Sequence, residues 1–557
     1  MISSNSKKWI TLLALCVILF TSGLKLSASL SDEIGIIHTA DEPVRIVRSA
    51  TSVRAGQWYM GSAFDINMFI GIHPPGDWFY RTFMLKIASF FDTNLSQAII
   101  DSQIIAIFTF TALLIIAYFQ IAFLINPLAG LFTVLSILMS LQIGVISLRA
   151  IGENTALLPF TLFLIFLVRA IKFQDKFDKN ILISGIFLLM ASFVRSEVIL
   201  LLPIMCLILL FRYSLKSSII FGAIASSYTV AKIIYCKIYI PSAVQYTDAY
   251  KVWSYGSYNL MQFIKTDFIA KHLRFDYPLT IFFPLMIFII YFILRLPKSN
   301  KKIVEIILFP SIGMFLIITS ASLMGFTHRS PSNLTFPLFG LYFVFGLVLY
   351  DLLDLLDLVK PKLKVYILSV LFILCPISAG YTTAKVVEDG KKIIPTEFVS
   401  VKNWLRQNIS TSDGLLMDRL YYWDWYIMAG IGDLYTPQNI CTYGMCEIKN
   451  FPKYGVIKKE VLAFSPQFND EAGWSNANAS VFLSEHTNPF LVLLDKPSAI
   501  KMGARLPKYC SYSQLWPYNS DALIFHFPGD DVKYRLELLT KFKDVGIYRV
   551  AERIKIQ

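Results

Sequence analysis

The chain has 557 residues and a formal net charge of +13, yet only 16% of its residues are charged and 55% are hydrophobic. A mean hydropathy of +0.57 excludes an ordinary soluble globular protein and indicates a polytopic membrane protein. The basic residues stand mostly in short blocks between apolar segments, where they signal membrane topology, so nucleic acid is not expected as a partner.

Apolar segments that could cross a bilayer occur throughout the first two thirds of the chain. A span needs roughly 17–25 apolar residues, and about eleven segments qualify. They are 9–30, 99–120, 127–147, 155–171, 181–194, 197–211, 218–240, 279–296, 303–325, 334–352 and 365–384. The segments around 127–211 are short and closely spaced, so tilted, re-entrant or partly spanning helices are expected there. The sequence therefore predicts a multi-pass α-helical membrane protein.

Basic residues between these segments predict the orientation. Groups at 7–8, 172–179, 212–216, 295–302 and 360–364 fall on one side when the segments are threaded in order. The positive-inside rule makes that side, and the N-terminus, cytoplasmic. The first segment also resembles a signal peptide, because small residues follow it at 27–29. Cleavage would break the charge pattern, which favours a retained helix.

The composition changes beyond Tyr381 to charged, aromatic and turn-rich, and the remaining length suffices for a domain with its own core. Short apolar runs at 414–417, 490–494, 522–525 and 545–548 are typical of strands, and 397–408 of a helix. The prediction is a transmembrane domain over 1–384, with an outer loop at 31–98, and an extracytoplasmic α/β domain over 385–557.

Two adjacent carboxylates follow the first apolar segment. Thr39 and Glu42 have the spacing of a capping box, and Pro43 is tolerated in the first turn of a helix, so Asp41 and Glu42 are predicted at a helix N-terminus. One reading is that the two acids only cap this helix. The other is that they carry chemistry at the membrane surface.

Basic and aromatic residues of the same loop favour the second reading. Arg45 and Arg48 alternate with apolar residues, and arginine binds phosphate by bidentate hydrogen bonds. Tryptophans and phenylalanines between 58 and 79 would anchor the loop at the interface. Pro74 and Pro75 would stiffen the segment that presents His73. A simple tether needs none of these features.

Other charges near the apolar segments are site candidates because charges in a bilayer are costly. Glu153 and the Arg195-Ser196-Glu197 group fall at outer ends of predicted spans. A structural ion pair is the favoured interpretation of Arg195 and Glu197. Arg329, in a turn before a late span, is a further candidate cation.

The first outer loop resembles that of the GT-C class of membrane glycosyltransferases, especially protein O-mannosyltransferases and lipid A aminoarabinose transferases. In that family an Asp-Glu pair is followed by a small-Gly-x-Trp segment and then by Lys-Pro-Pro or His-Pro-Pro. The same order is found here in Asp41-Glu42, Ala55-Gly56-Gln57-Trp58 and His73-Pro74-Pro75. The number of predicted spans and the large outer loops are also similar to those of the family. Two departures leave sugar and acceptor open: Arg45 comes three residues after Glu42 instead of two, and the outer domain shows no recognisable resemblance to a known domain.

The resemblance implies transfer of a sugar from a polyprenyl-phosphate donor to a lipid, glycan or protein acceptor. Asp41 is then the expected general base of an inverting single displacement, and Glu42 is the second candidate or orients the acceptor. The cations expected to stabilise the departing phosphate are Arg45, Arg48, His73 and Arg329. Asp41, Glu42 and His73 have the chemistry of metal ligands, but the family does not generally require a metal. No cofactor is predicted, and a divalent metal stays open.

Two other classes of protein share parts of this pattern. A transporter or flippase would also be polytopic, but it should place ionisable residues near the membrane midplane. A membrane-anchored binding protein would explain the outer domain but not the loop. Lysine-, asparagine- and isoleucine-rich composition favours a bacterial inner membrane over an endoplasmic reticulum membrane, although the topology suits both.

Overall fold

The computed structural model describes residues 4–30, 76–88, 97–239, 283–293, 300–323 and 334–357, with shorter stretches between 370 and 556. The chain divides into two compact units. The first comprises Met1–Ser31, Phe69–Asp77 and Gln103–Val387, and the second Asp32–Met68, Trp78–Ser102 and Glu388–Gln557.

Helices make up most of the described part of the apolar two thirds. They are α1 (Ser4–Leu30), α2 (Gly76–Ala88), α3 (Gln97–Leu124), α4 (Pro127–Met139), α5 (Leu141–Ile146), α6 (Gly152–Lys172), α7 (Phe177–Val194), α8 (Leu201–Arg212), α9 (Leu215–Tyr239), α10 (Phe283–Ile293), α11 (Lys301–Leu323) and α12 (Thr335–Asp357). Predicted segments from 9–30 to 334–352 all overlap these helices. The last, 365–384, is described for about half of its residues, and those residues are helical.

Six described helices are long and apolar enough to cross a membrane. They are Asn5–Leu30, Ile100–Leu124, Gly152–Lys172, Phe177–Val194, Leu215–Ile234 and Thr335–Asp354. In the most apolar 18 residues of Thr335–Asp354, 83% is buried within the protein, whereas the corresponding share for Leu215–Ile234 is 17%. Helix α12 is therefore central in this bundle, whereas α9 is peripheral.

The predicted segment 127–147 forms two helices that meet at Ser140, in the region where re-entrant or partly spanning helices are expected. Asn126 caps the start of α4 by accepting a hydrogen bond from the Ala129 N–H at 2.8 Å. Ser140 ends α4 by donating its backbone N–H to the Ile137 carbonyl. Its hydroxyl also accepts from the Ile143 N–H at 3.4 Å and caps α5. Serine thus replaces the backbone bonds lost at this buried break.

Helices α4 and α12 approach to backbone contact at Gly346. A Cβ at this position would lie 2.5 Å from Thr133 Cα and 2.6 Å from the Phe132 carbonyl oxygen. Small residues at helix crossings permit such approach in membrane proteins, where van der Waals packing drives association. The glycine therefore sets the distance between these two helices.

Helix α1 is built into the bundle by apolar and polar contacts. Ala14, Val17 and Ile18 are buried in the core. The Tyr118 hydroxyl of α3 donates to Thr11 Oγ1 at 2.8 Å. Apolar packing and hydrogen bonds together hold the first helix against α3.

A buried carboxylate joins α10, α11 and α12. The Asp351 side chain accepts from the Tyr291 hydroxyl at 2.8 Å and from the Asn300 amide group at 2.6 Å. The Asn300 backbone N–H, just before α11, lies 3.3 Å from Asp351 Oδ2. Several hydrogen bonds compensate the cost of burying this charge.

The second unit contains an eight-stranded mixed sheet in the order β2-β3-β1-β4-β8-β7-β6-β5. Its strands are β1 (Leu415–Asp418), β2 (Ile440–Cys441), β3 (Val461–Phe464), β4 (Phe490–Leu494), β5 (Tyr518–Asn519), β6 (Ile524–His526), β7 (Val532–Phe542) and β8 (Val545–Lys555). Strands β1 to β4 pair in parallel, and pairing from β4 through β8 to β5 is antiparallel. Strands β1, β4, β6 and β8 lie where the sequence predicts strands.

One helix of the second unit is also where the sequence places it. Helix α13 (Thr396–Asn408) covers the predicted range 397–408. Trp404 of this helix meets Phe490 of β4 edge to face, with ring centroids 6.0 Å apart. Glu397 accepts from Lys543 at 3.2 Å, next to the β7–β8 turn. Helix and sheet therefore share a small core.

Candidate functional site

Charged and polar side chains gather at the N-terminus of α6 in the first unit. We call this group the α6 cluster, and its members are Asp77, Glu153, Asn154, Thr155, Arg195 and Glu197. Three successive residues in the first turn of α6 each bond a different part of the chain. A connection formed by 147–151 leads into this turn and is almost completely buried.

Arg195 lies between two carboxylates. Its Nη2 atom is 2.9 Å from Glu153 Oε1 and 2.7 Å from Glu197 Oε1. The Arg195 and Glu153 side chains are only 12% and 6% exposed, so their charges are compensated by each other more than by water. Helix α7 ends at Val194 and Arg195 has extended backbone, which turns the chain into the 3-10 turn that carries Glu197.

Asp77 is held at the start of α2 by Thr155. The Thr155 hydroxyl donates to Asp77 Oδ1 at 2.9 Å. Gly76 lies directly against the end of α7, since a Cβ there would be 2.6 Å from the Phe193 carbonyl oxygen. A Cβ at Gly152 would lie 3.1 Å from Arg195 Cδ and 3.5 Å from Asp77 Cβ. The glycines at both positions thus allow the carboxylate of Asp77 and the side chain of Arg195 to lie beside the first turn of α6.

Asn154 ties the connection before α6 to helix α3. Its side-chain nitrogen is 3.2 Å from the Ala106 carbonyl and 3.3 Å from the carbonyls of Ser147 and Arg149. Asn154 is only 1% exposed. Non-helical backbone at membrane depth must have its carbonyls satisfied inside the protein. One buried amide therefore supports the irregular connection that precedes Glu153.

Some of the site residues predicted from the sequence lie in the described part of the chain, and others do not. The candidate general bases and the candidate phosphate-binding residues lie outside the described residues and stay predictions. They are Asp41, Glu42, Arg45, Arg48, His73 and Arg329. The expected ion pair between Arg195 and Glu197 is confirmed, and Glu153 joins it. Asp77, Asn154 and Thr155 were missed as site residues. A sequence signal exists for Asp77, which follows Pro74-Pro75-Gly76 at a predictable helix start.

Within the described ranges, no three His, Cys, Asp or Glu side chains stand close enough to hold a metal ion. The α6 cluster instead combines buried acids with a guanidinium. Such a group can orient a polar ligand and stabilise charge at the end of a bundle.

The fold is that of the GT-C class of membrane glycosyltransferases. One similar solved structure is ArnT from Cupriavidus metallidurans bound to undecaprenyl phosphate, with 10% identity, a TM-score of 0.57, and 98% of this chain and 99% of that chain covered. Its apo state gives 11% identity, a TM-score of 0.58 and 98% of both chains. The resemblance inferred from the outer loop is thereby confirmed for the fold.

A second kind of enzyme shares this fold. The oligosaccharyltransferase AglB from Archaeoglobus fulgidus, solved with an inhibitory peptide and a dolichol-phosphate, gives 10% identity and a TM-score of 0.51 over 90% of this chain and 71% of that chain. No family model matches the sequence. No curated protein sequence matches it either.

Proposed function

We propose that this protein transfers a sugar from a polyprenyl-phosphate-linked donor to an acceptor at the extracytoplasmic face of a membrane. The observation that carries the proposal is the likeness of fold to ArnT along the whole length of both chains. That ArnT structure holds undecaprenyl phosphate, and the AglB structure holds a dolichol-phosphate. A polyprenyl phosphate is thus the leaving group to expect here.

The chemistry is a single displacement. An acceptor hydroxyl attacks the anomeric carbon, the bond from that carbon to the phosphate oxygen breaks, and polyprenyl phosphate leaves with the electron pair. Asp41 accepts the hydroxyl proton, with Glu42 as the alternative base. Charge on the leaving phosphate is stabilised by cations, for which the sequence offers Arg45, Arg48, His73 and Arg329.

The α6 cluster supports the proposal by anchoring Asp77, within the outer loop, to the bundle. His73 precedes Asp77 by four residues, so the covalent chain limits their Cα separation to roughly 14 Å. Asp77 is bonded to Thr155, and Gly76 lies against Phe193. The segment that carries His73 therefore continues into a rigid, buried part of the bundle.

The finer features of the protein belong to the same proposal. The topology comprises about eleven spans, with a cytoplasmic N-terminus in a bacterial inner membrane. Residues 385–557 form an extracytoplasmic α/β domain that contacts a lipid, glycan or protein acceptor. No cofactor is required, and transfer in the presence of a chelator tests the need for a divalent metal.

The test compares a null strain complemented with wild type, Asp41→Asn, Glu42→Gln or the control Glu537→Gln, whose side chain is exposed on β7. Lipid-linked sugars are followed by mass spectrometry. We expect Asp41→Asn to accumulate donor at normal protein level, while the control behaves as wild type. Undiminished transfer by Asp41→Asn would move the base to Glu42. A null strain with unchanged lipid-linked sugars would contradict the glycosyltransferase and favour a transporter.

A further inference from the structure

A lysine is buried inside the first membrane-spanning helix. Lys25 of α1 is 2% exposed. Its ammonium group donates to the Ser147 hydroxyl and lies 4.6 Å from the centroid of the Phe110 ring. In the part of the chain that the structure describes, no carboxylate forms an ion pair with it. Because a charged amine is costly in this environment, its presence calls for a specific role.

The partner of Lys25 stands at the start of the connection before α6. The Ser147 hydroxyl accepts from Lys25 and donates to the Gly144 carbonyl at 2.7 Å. The Ser147 carbonyl in turn accepts from Asn154. Lys25 and Asn154 therefore fix the same serine from opposite sides, one through the side chain and the other through the backbone.

The other hydrogen bonds of α1 show that Lys25 is not needed merely to join helices. Ser22 already meets Thr111 of α3 with a 2.7 Å hydroxyl contact. Thr21 satisfies its hydroxyl within its own helix, on the carbonyls of Val17 and Ile18. Lys25 alone of these residues reaches the irregular connection that leads to Glu153.

We propose that Lys25 is a positioning residue of the α6 cluster. By holding Ser147 it fixes the connection 147–151, and so it fixes the first turn of α6. Glu153 is then in place to meet Arg195, and Thr155 to meet Asp77. The positioning role rests on the contacts described above, whereas its effect on catalysis rests on the proposed function.

The test measures amide hydrogen exchange in peptides covering 145–156, with the full-length protein in lipid nanodiscs. Variants are Lys25→Met, Ser147→Ala, the double variant and the control Ser22→Ala, which loses a contact between α1 and α3 only. We expect exchange roughly tenfold faster in Lys25→Met and at least as fast in Ser147→Ala, which also loses the bond to the Gly144 carbonyl. The double variant should exchange no faster than Ser147→Ala, because Lys25 acts through Ser147. The control should exchange as wild type. Unchanged exchange in Lys25→Met, or additive effects in the double variant, would overturn the positioning role.

Lys25→Gln separates the donated hydrogen bond from the charge and guards against loss of folding in the methionine variant. We expect it to recover part of the protection of 145–156, since its amide still donates. If glutamine gives the same exchange as methionine, the hydrogen bond to Ser147 does not carry the effect and the proposal fails.

Transfer kinetics supply the functional readout. We expect Lys25→Met to lower kcat about 10–100-fold with an unchanged KM for the donor, as for a catalytic group displaced by about 1 Å. An unchanged kcat beside faster exchange would overturn the catalytic consequence. If wild type transfers no sugar, the proposed function fails, but hydrogen exchange still decides the positioning role.

Discussion

Alanine substitutions at three glycines test the packing around the α6 cluster. At Gly76 a Cβ would lie 2.6 Å from a backbone oxygen, that of Phe193. At Gly152 the nearest atom, 3.1 Å away, is Arg195 Cδ, which belongs to a long side chain. At Gly23 nothing lies within 4 Å. The three positions therefore differ in how easily their neighbours can move.

The distances give the expected order of stability. Gly76→Ala forces helices α2 and α7 apart by roughly 1 Å, and overpacking of this kind costs about 1–3 kcal/mol. The same movement stretches the 2.9 Å bond between Thr155 and Asp77 beyond hydrogen-bonding range, at a further cost of about 1 kcal/mol. Gly152→Ala should cost less than about 1 kcal/mol, because Arg195 can shift. Gly23→Ala should gain up to about 1 kcal/mol from helix propensity.

Unfolding of the purified proteins in mixed micelles, titrated with denaturing detergent, measures these differences. The rank from least to most stable should be Gly76→Ala, Gly152→Ala, wild type and Gly23→Ala. Equal stability of Gly76→Ala and Gly23→Ala would refute the close contact between the start of α2 and the end of α7. Transfer activity should fall with Gly76→Ala and remain normal with Gly23→Ala.

Three further predictions concern ion pairs and hydrogen bonds, each measured by the same unfolding titration. Glu153→Gln should lower the free energy of unfolding by about 2–3 kcal/mol, and Glu197→Gln by less than about 1 kcal/mol. The reason is that the Glu197 side chain is 29% exposed, whereas that of Glu153 is 6% exposed. A larger loss for Glu197→Gln than for Glu153→Gln would contradict this argument from burial. Tyr291→Phe removes a 2.8 Å hydrogen bond to a buried carboxylate and should lower the free energy of unfolding by about 1.5–3 kcal/mol; unchanged stability would contradict this bond. Lys543→Met should change stability by no more than about 0.5 kcal/mol, since its side chain is 68% exposed; a larger loss would show that this pair is unusually rigid.

Membrane spans could be predicted from the sequence because bilayer thickness imposes a minimum length of apolar chain. The break at Ser140 could not, because one serine in an apolar run is equally compatible with a continuous helix. Strand β7 was missed for another reason. Its sequence, VKYRLELLTKF, is strongly polar on one side, and only Tyr534 and Leu536 are buried. Pairing with neighbouring strands, which the sequence does not display, makes it a strand.

The candidate site was predictable only where its signals are local. Adjacent carboxylates, arginines and prolines of the first outer loop form a recognisable series. The contact of Lys25 with Ser147 joins residues 122 positions apart, and that of Thr155 with Asp77 joins residues 78 apart. The spacing of apolar residues along the chain does not indicate such pairs. They arise from the packing of helices that the sequence predicts only one at a time.

Strand order in the second unit constrains when this part of the chain can finish folding. Strand β8 lies between β4 and β7, although β4 ends at Leu494 and β8 begins only at Val545. The parallel half of the sheet therefore has an open edge until synthesis has passed β8. A ribosome that stops before Val545 would release a polypeptide in which β4 and β7 are two additional unpaired edges, and such edges recruit other chains. Completion of this sheet thus depends on a strand that is made late and inserted in the middle.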